Sequence, residues 1–193
     1  MIIDISQEIL SCKVYPGDPA PTVEKLEDMG KGDIYNLTAF SMCAHNGTHV
    51  DTPAHFLKDG KTIDDIPLEY FVGDCYVARG EGELSAEDAM MVMTAAREAK
   101  ARKRILLAGN LTVTADAAYV FAEAGLKLLG NESQSVGPED APMEVHKILL
   151  EAGVVLLEGI VLSDVEEGKY FLNAAPLNIA GCEGAPCRAY LMK

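Results

Sequence analysis

The sequence predicts an α/β fold: a mostly parallel sheet covered by helices, joined by a β-rich layer from the two ends of the chain. Two observations carry this. Through the middle of the chain, helical stretches alternate with short apolar runs: Ile105-Leu106-Leu107, Leu126 to Leu129, and Val154-Val155-Leu156-Leu157. Such runs are typical of strands covered on both faces, and their alternation with helices is the pattern of a parallel sheet. Outside that region, Met1 to Ser6, Val23 to Leu26, Tyr35 to Cys43 and the tail from Tyr170 to Met192 read as β structure. With 193 residues, 49% of them hydrophobic, the chain can bury one core. A single domain over residues 1–193 is expected, without internal repeats or low-complexity segments.

Taken in order, the first strand is followed by a turn on Tyr15-Pro16-Gly17-Asp18-Pro19, where proline and glycine supply the bend. Tyr35 to Met42 alternates polar and apolar residues with period two and leads into a histidine-rich segment. Lys58 to Lys61 is a turn, Ile63 to Phe71 a loop with a helical turn, and Asp74 to Arg79 a strand. Ser85 to Asp88 resembles a capping box opening a helix over Ala86 to Lys100, whose Met90, Met91 and Met93 read as core. The basic cluster Ala101 to Arg104 reads as a solvated helix end. Thr114 to Ala124 is a second helix stopped by Gly125. Pro142 suits the start of a third, in which Val145, Ile148, Leu149 and Ala152 recur at i, i+3, i+4 and i+7 before Gly153.

Composition narrows the function. A net charge of −14 argues against nucleic acid and against anionic membrane surfaces, both of which select basic patches. No apolar run approaches membrane-spanning length, and Met1-Ile2-Ile3-Asp4 does not open a signal peptide. The five cysteines are odd in number and contain no CxxC, which suits reduced thiols. A cytoplasmic protein acting on a small molecule is the expectation.

The chemistry concentrates in Ala44 to Phe56, which holds His45, His49 and His55, three of the four histidines, with Asp51 among them. Imidazole and carboxylate are the usual ligands of zinc and its first-row neighbours. Asn46-Gly47 and Pro53 oppose a regular helix here, but a roughly helical turn could still aim His45 and His49 the same way. Asp51, two residues beyond His49, joins them if the backbone is extended. Three N, N, O donors with room for water describe a catalytic metal rather than a closed structural one. Gly47 allows positive φ or close backbone approach, and the Thr48 hydroxyl could hold the loop locally. The plainer reading is a surface loop with incidental histidines. Of the later residues, His146 lies beside the apolar stripe of the third helix, where a lone histidine is more often structural. Glu158 ends the last apolar run, where α/β sheets place their sites and where an uncompensated carboxylate is very costly.

His45-x-Gly47-Thr48-His49-x-Asp51-x-Pro53-x-His55-Phe56 fixes eight positions within twelve residues and resembles the signature of the metal-dependent cyclase-like hydrolases, whose best-described members are bacterial kynurenine formamidases. The likeness extends to the Ile2-Ile3-Asp4 opening, the Pro16-Gly17-Asp18-Pro19 turn and the tail from Ala175-Pro176-Leu177 to Gly184-Ala185-Pro186-Cys187-Arg188. The resemblance implies a cyclase-like swivelling β/β/α fold. It implies His45, His49, Asp51, His146 and Glu158 as metal ligands, Asp51 bridging two ions, and His55 as catalytic acid/base. It also implies one or two divalent ions per chain, zinc or manganese, and a homo-oligomer, dimer or tetramer. Tyr15 stands where the formamidases carry an aromatic residue, commonly tryptophan, that helps hold an aryl substrate. It is therefore a substrate-binding candidate as well as a plain plug over a turn. The chain departs from the pattern at Asn131 to Pro138, where relatives are aspartate-rich, around Leu106 to Thr114, and in having no tryptophan.

The implied reaction is metal-assisted hydrolysis of a linear or cyclic amide, arylformamidase-like. A bound ion lowers the pKa of water to about 7, the resulting hydroxide attacks the carbonyl, and His55 passes the proton to the leaving nitrogen. Two alternatives stand beside it: a cyclase or lyase acting on a cyclic or polyketide-like substrate, and a non-catalytic metal-binding protein.

Overall fold

A computed structural model describes residues 1–138 and 140–193. In chain order, its strands and helices are β1 (Ile2–Asp4), β2 (Thr22–Glu27), β3 (Leu37–Ser41), β4 (His49–Asp51), β5 (Val72–Arg79), β6 (Gly82–Leu84), α1 (Ala86–Glu98), β7 (Arg104–Ala108), β8 (Leu111–Val113), α2 (Ala115–Glu123), β9 (Leu128–Asn131), α3 (Met143–Glu151), β10 (Val155–Glu158), β11 (Gly168–Asn173), β12 (Gly184–Pro186) and β13 (Tyr190–Met192). Nine strands form one sheet in the order β1-β13-β11-β5-β7-β9-β10-β4-β12. The centre, β5-β7-β9-β10, is parallel as the alternation predicts. Apart from β2 and β3, the strands from the two ends of the chain are the antiparallel flanks of this same sheet: β11, β13 and β1 on one side, β4 and β12 on the other. β6 and β8 form a small parallel pair that the sequence did not announce.

The sheet buries both faces. Ile105 and Leu107 of β7 and Leu156 of β10 pack into one cluster with α1, α2 and α3. Leu106, Ala108, Val155 and Leu157 pack into a second with Ile5, Phe71 and Leu191. Alternation along each strand thus decides which residues face the helices. Val50 belongs to the second cluster. Its neighbours His49 and Asp51, and Glu158 two residues after Leu156, are therefore turned to the helix side.

Several local expectations change. The Ser85 capping box is present, with the Ser85 Oγ accepting from the Asp88 N–H. Of the methionines, Met93 is buried, whereas Met90 and Met91 are exposed, because the buried stripe of α1 runs through Ala89, Met93 and Ala96. Arg104 is not a solvated helix end. It begins β7, is buried, and its guanidinium donates to the carbonyls of Tyr70 (3.0 Å), Asp74 (3.2 Å) and Glu69. Three carbonyl acceptors offset the burial of its charge. Strands β2 and β3 leave the main sheet as a two-stranded ribbon, with Val23, Leu26, Leu37 and Phe40 largely exposed. The five cysteines are free.

Candidate metal centre

The histidine segment is built by a turn, a strand and a second turn. Gly47 adopts φ +63°, and a Cβ there would stand 2.9 Å from the Cys12 Cβ, so the site uses both the conformation and the slimness of glycine. Thr48 secures the loop over long range rather than locally: its hydroxyl donates to the Gly159 carbonyl (2.7 Å) and accepts from the Gln7 N–H (2.9 Å). His49 to Asp51 then run extended, paired to β10 as Glu158↔His49 and Leu156↔Asp51. This strand sets His49 and Asp51 side by side, as an extended backbone requires, whereas no helical turn joins His45 to His49. His45 reaches them from beyond the Gly47 bend, its Nδ1 2.7 Å from Asp51 Oδ1. A short 3₁₀ turn, Pro53–His55, then lays the His55 ring over that of His45, with centroids 4.1 Å apart.

His146 and Glu158 arrive from the other half of the chain. Glu158 ends β10 beside His49, with Oε2 3.5 Å from His49 Nε2. The α3 histidine crosses from the helix layer, its Nε2 3.2 Å from Glu158 Oε1 and 3.8 Å from Asp51 Oδ2. Two overlapping sets result. His45, His49 and Asp51 each offer a ligand atom within 4.8 Å of the others, and so do Asp51, His146 and Glu158. Asp51 belongs to both. The structure thus brings all four histidines and both acids together. His55 stands at the edge, 3.9 Å from Asp51 Oδ2, partly exposed and outside both sets.

The hydrogen bonds show which atoms are available. A carbonyl can only accept, so His49 Nδ1 donates to the Gly47 carbonyl (3.0 Å) and His146 Nδ1 donates to the Pro142 carbonyl (2.9 Å). In each neutral ring the Nε2 lone pair is then turned inward. Glu158 Oε1 accepts from the buried Val136 N–H (2.8 Å). His49 Nε2 and Asp51 Oδ2 are buried without a hydrogen-bond partner. Orphaned polar atoms at the centre of an N/O donor set demand a partner, and a divalent cation would supply one. Thiolate is absent from both sets among the described residues, which suits zinc, manganese or a similar ion.

The same crowding moves the titrations. Burial opposes the charged form of His45, His49 and His146. The carboxylates outweigh it, Asp51 at His45 and His49 and Glu158 at His146, and all three stand above the usual histidine value, His49 well above. Asp51 is held well below the usual carboxylate range: burial opposes its charge, but His49 and His45 outweigh it. His55 goes the other way, lowered chiefly by burial, and is neutral at pH 7. The three inward imidazoles therefore hold their second proton to higher pH than a free imidazole does, and a cation would compete with it, while His55 is biased towards its neutral, basic form.

Over this cluster lies a cavity of about 260 Å³, walled by Tyr15, His55, Phe56, Gln134, Pro142 and Ser135. Tyr15 thus lies at the site, brought there by the turn in which the Asp18 N–H donates to the Tyr15 carbonyl (3.0 Å). A larger groove of about 560 Å³ beside Phe40 and Leu177 contains no such cluster. Sequence reading missed Gln134, whose amide donates to the Gly47 carbonyl (3.1 Å), and Glu183, whose Oε1 lies 3.3 Å from His45 Nε2. Nothing local marks either; adjacency to Gly184 in the tail motif was the nearest signal for Glu183.

Comparison with known proteins bears on this geometry. A profile of the family described as "Putative cyclase" matches residues 3–79. The chain is 34% identical over 207 aligned positions to a kynurenine formamidase of Salinibacter ruber, covering 98% of this chain and 96% of that one. A solved structure titled as a potential metal-dependent hydrolase with cyclase activity superimposes with a TM-score of 0.81 at 26% identity, over 99% of this chain and 96% of that one. Isatin hydrolase A from Labrenzia aggregata shares the fold, with a TM-score of 0.83 at 22% identity over 100% and 93% of the two chains.

Proposed function

The chain belongs to the metal-dependent cyclase-like hydrolase family that includes the kynurenine formamidases, and on that premise we propose that it hydrolyses a carbon–nitrogen amide bond, arylformamides first among the substrates. The observation that carries the reading is the pair of donor sets sharing Asp51, open to a cavity. A closed structural site would leave no room beside the ligands, so the non-catalytic reading fits the cavity poorly. His45, His49 and Asp51 would hold one cation and Asp51, His146 and Glu158 a second, zinc or manganese. Such a cation supplies Lewis acidity, polarising a carbonyl and acidifying water.

The chain's own residues do the rest. Tyr15 and Phe56 give the cavity two aromatic walls for an aryl group. His55, neutral and at the cavity edge, takes a proton from water and delivers it to the leaving nitrogen, which departs as an amine. Asp51 keeps its negative charge at neutral pH in the middle of the cluster. The carbonyl-held Nδ1 atoms of His49 and His146 keep both rings in place throughout.

The reading extends to a single domain over residues 1–193, because the main sheet takes strands from both ends of the chain. It also extends to a cytoplasmic homo-oligomer, dimer or tetramer. What supports assembly is the β2–β3 ribbon: two-stranded ribbons are marginal on their own, and cross-strand partners Val23 and Phe40 are exposed upon it. Among the described residues no helix is long and apolar enough to cross a membrane.

The test is elemental analysis of purified protein coupled to turnover of N-formyl anilines, lactams and isatin-like rings, before and after chelation. Metal-dependent release of formate from the anilines is expected. Likeness to a structure titled with cyclase activity favours a second reading, a cyclase or lyase. Turnover of a cyclic or polyketide-like substrate without any amide hydrolysis would replace the first reading with that one.

A further inference from the structure

His45 differs from the other two inward histidines in what holds its outer nitrogen. His49 and His146 each donate Nδ1–H to a backbone carbonyl, fixed in place and uncharged. His45 presents Nδ1 to Asp51 Oδ1 at 2.7 Å, so its outer nitrogen is Nε2, and that atom meets a carboxylate, Glu183 Oε1, at 3.3 Å. The root of this carboxylate is fastened to the site. The Glu183 carbonyl accepts both the Thr52 N–H (2.9 Å) and the Thr52 hydroxyl (2.8 Å), immediately after Asp51. The next residue, Gly184, pairs with Asp51 across the sheet, and a Cβ there would stand 2.7 Å from His45 Cε1 and 2.9 Å from the Val50 carbonyl. Strand β12 therefore closes directly on the His45 ring, and the residue before it reaches around to the ring's far side.

We propose that Glu183 is a positioning residue for His45: its carboxylate accepts the Nε2–H and thereby commits Nδ1, the nitrogen facing Asp51 and His49, to cation binding. A histidine that donates its outer N–H to a carboxylate is a better-oriented and more basic ligand than one that donates to water. The consequence is asymmetry. The cation of His45, His49 and Asp51 is supported by a charged partner from the chain's tail, while the cation of Asp51, His146 and Glu158 is not. This rests on the metal reading above, and it assigns to the sequence's Glu183-Gly184 a role in cation affinity rather than in folding.

The experiment measures Zn²⁺ and Mn²⁺ dissociation constants by chelator competition for the wild-type chain, Glu183→Gln and Glu183→Ala, alongside their melting temperatures. Glu183→Gln preserves shape and removes the charge. It should weaken one cation by roughly 10- to 100-fold, the range for losing such an outer partner, with the other cation and the melting temperature of the chelated protein unchanged. Equal dissociation constants for Glu183→Gln and wild type would overturn the proposal. So would equal weakening of both cations, or a loss that follows the melting temperature alone. Should Glu183→Ala fold poorly, Glu183→Gln decides. Failure of the wild-type chain to bind any divalent cation would instead sink the metal reading itself, a separate outcome.

Discussion

Replacing His55 and Asp51 in parallel separates the proposed proton carrier from the proposed cation cradle. His55 lies outside both ligand sets, 3.9 Å from Asp51 Oδ2, stacked on His45 and open to the cavity. His55→Ala should therefore leave both donor sets intact. A general acid–base group contributes roughly 10²–10⁴-fold, or about 3–5 kcal/mol of activation free energy at about 1.36 kcal/mol per tenfold. The loss should fall mainly on kcat, since the proton moves only in the reacting complex. Asp51 is a member of both sets and lies within 4.0 Å of all four histidines. Asp51→Ala removes the anion that His49, fully buried, depends on, and breaking a buried pair from one side costs about 3–5 kcal/mol. It should lose metal, activity and stability together, and Asp51→Asn should lose metal with less damage to the fold. The assay is metal content by elemental analysis on the same samples used for kinetics. Release of a cation by His55→Ala, or full metal occupancy in Asp51→Asn, would refute the division of roles.

Other perturbations probe the same framework. Gly159 follows Glu158 with φ +66°, and a Cβ there would collide with the Gly47 carbonyl and the Gln134 amide nitrogen. Adding the left-handed cost of about 1–2 kcal/mol to overpacking of about 1–3 kcal/mol, Gly159→Ala should lower the melting temperature by roughly 5–15 °C; an unchanged melt contradicts the packing described. In metal-free protein His45, His49 and His146 titrate above their unfolded value. Their stabilisation is complete below about pH 6.5 and is lost as pH rises through the raised folded values. Cations face less proton competition at the same time. The melting gap between loaded and chelated protein should therefore widen from pH 6 to pH 9; a gap that narrows counts against the site. Phe40→Glu on the exposed ribbon should convert the proposed homo-oligomer to smaller species in sedimentation without changing the chelated melt, and an unaltered mass would exclude the ribbon as the interface.

The contrast between what was and was not legible has a consistent physical origin. The sequence by itself determined whatever depends on neighbours along the chain. The parallel centre follows from apolar runs alternating with helices, the bend at Gly47 from glycine's freedom, and the shared side of His49 and Asp51 from strand periodicity. Even Glu158 could be marked as exceptional, because a carboxylate ending a buried strand needs a partner. The donor types, imidazole and carboxylate without thiolate, were likewise fixed by composition and spacing.

Tertiary structure alone decided which distant groups meet. His146 taken alone read as a helix histidine, and only the family resemblance marked it as a ligand; α3 packing over β10 is what sets its Nε2 3.2 Å from Glu158. Arg104 read as a solvated cation until three carbonyls closed around it. Met90 and Met91 read as core until the buried face of α1 ran through Ala89, Met93 and Ala96 and left them outside it. Glu183, 138 residues from His45, carried no local sign of their contact. Periodicity constrains the direction of a side chain relative to its own backbone, within a few residues. Which surface then covers it depends on sheet register and helix docking, and those are set by the packing of the whole core.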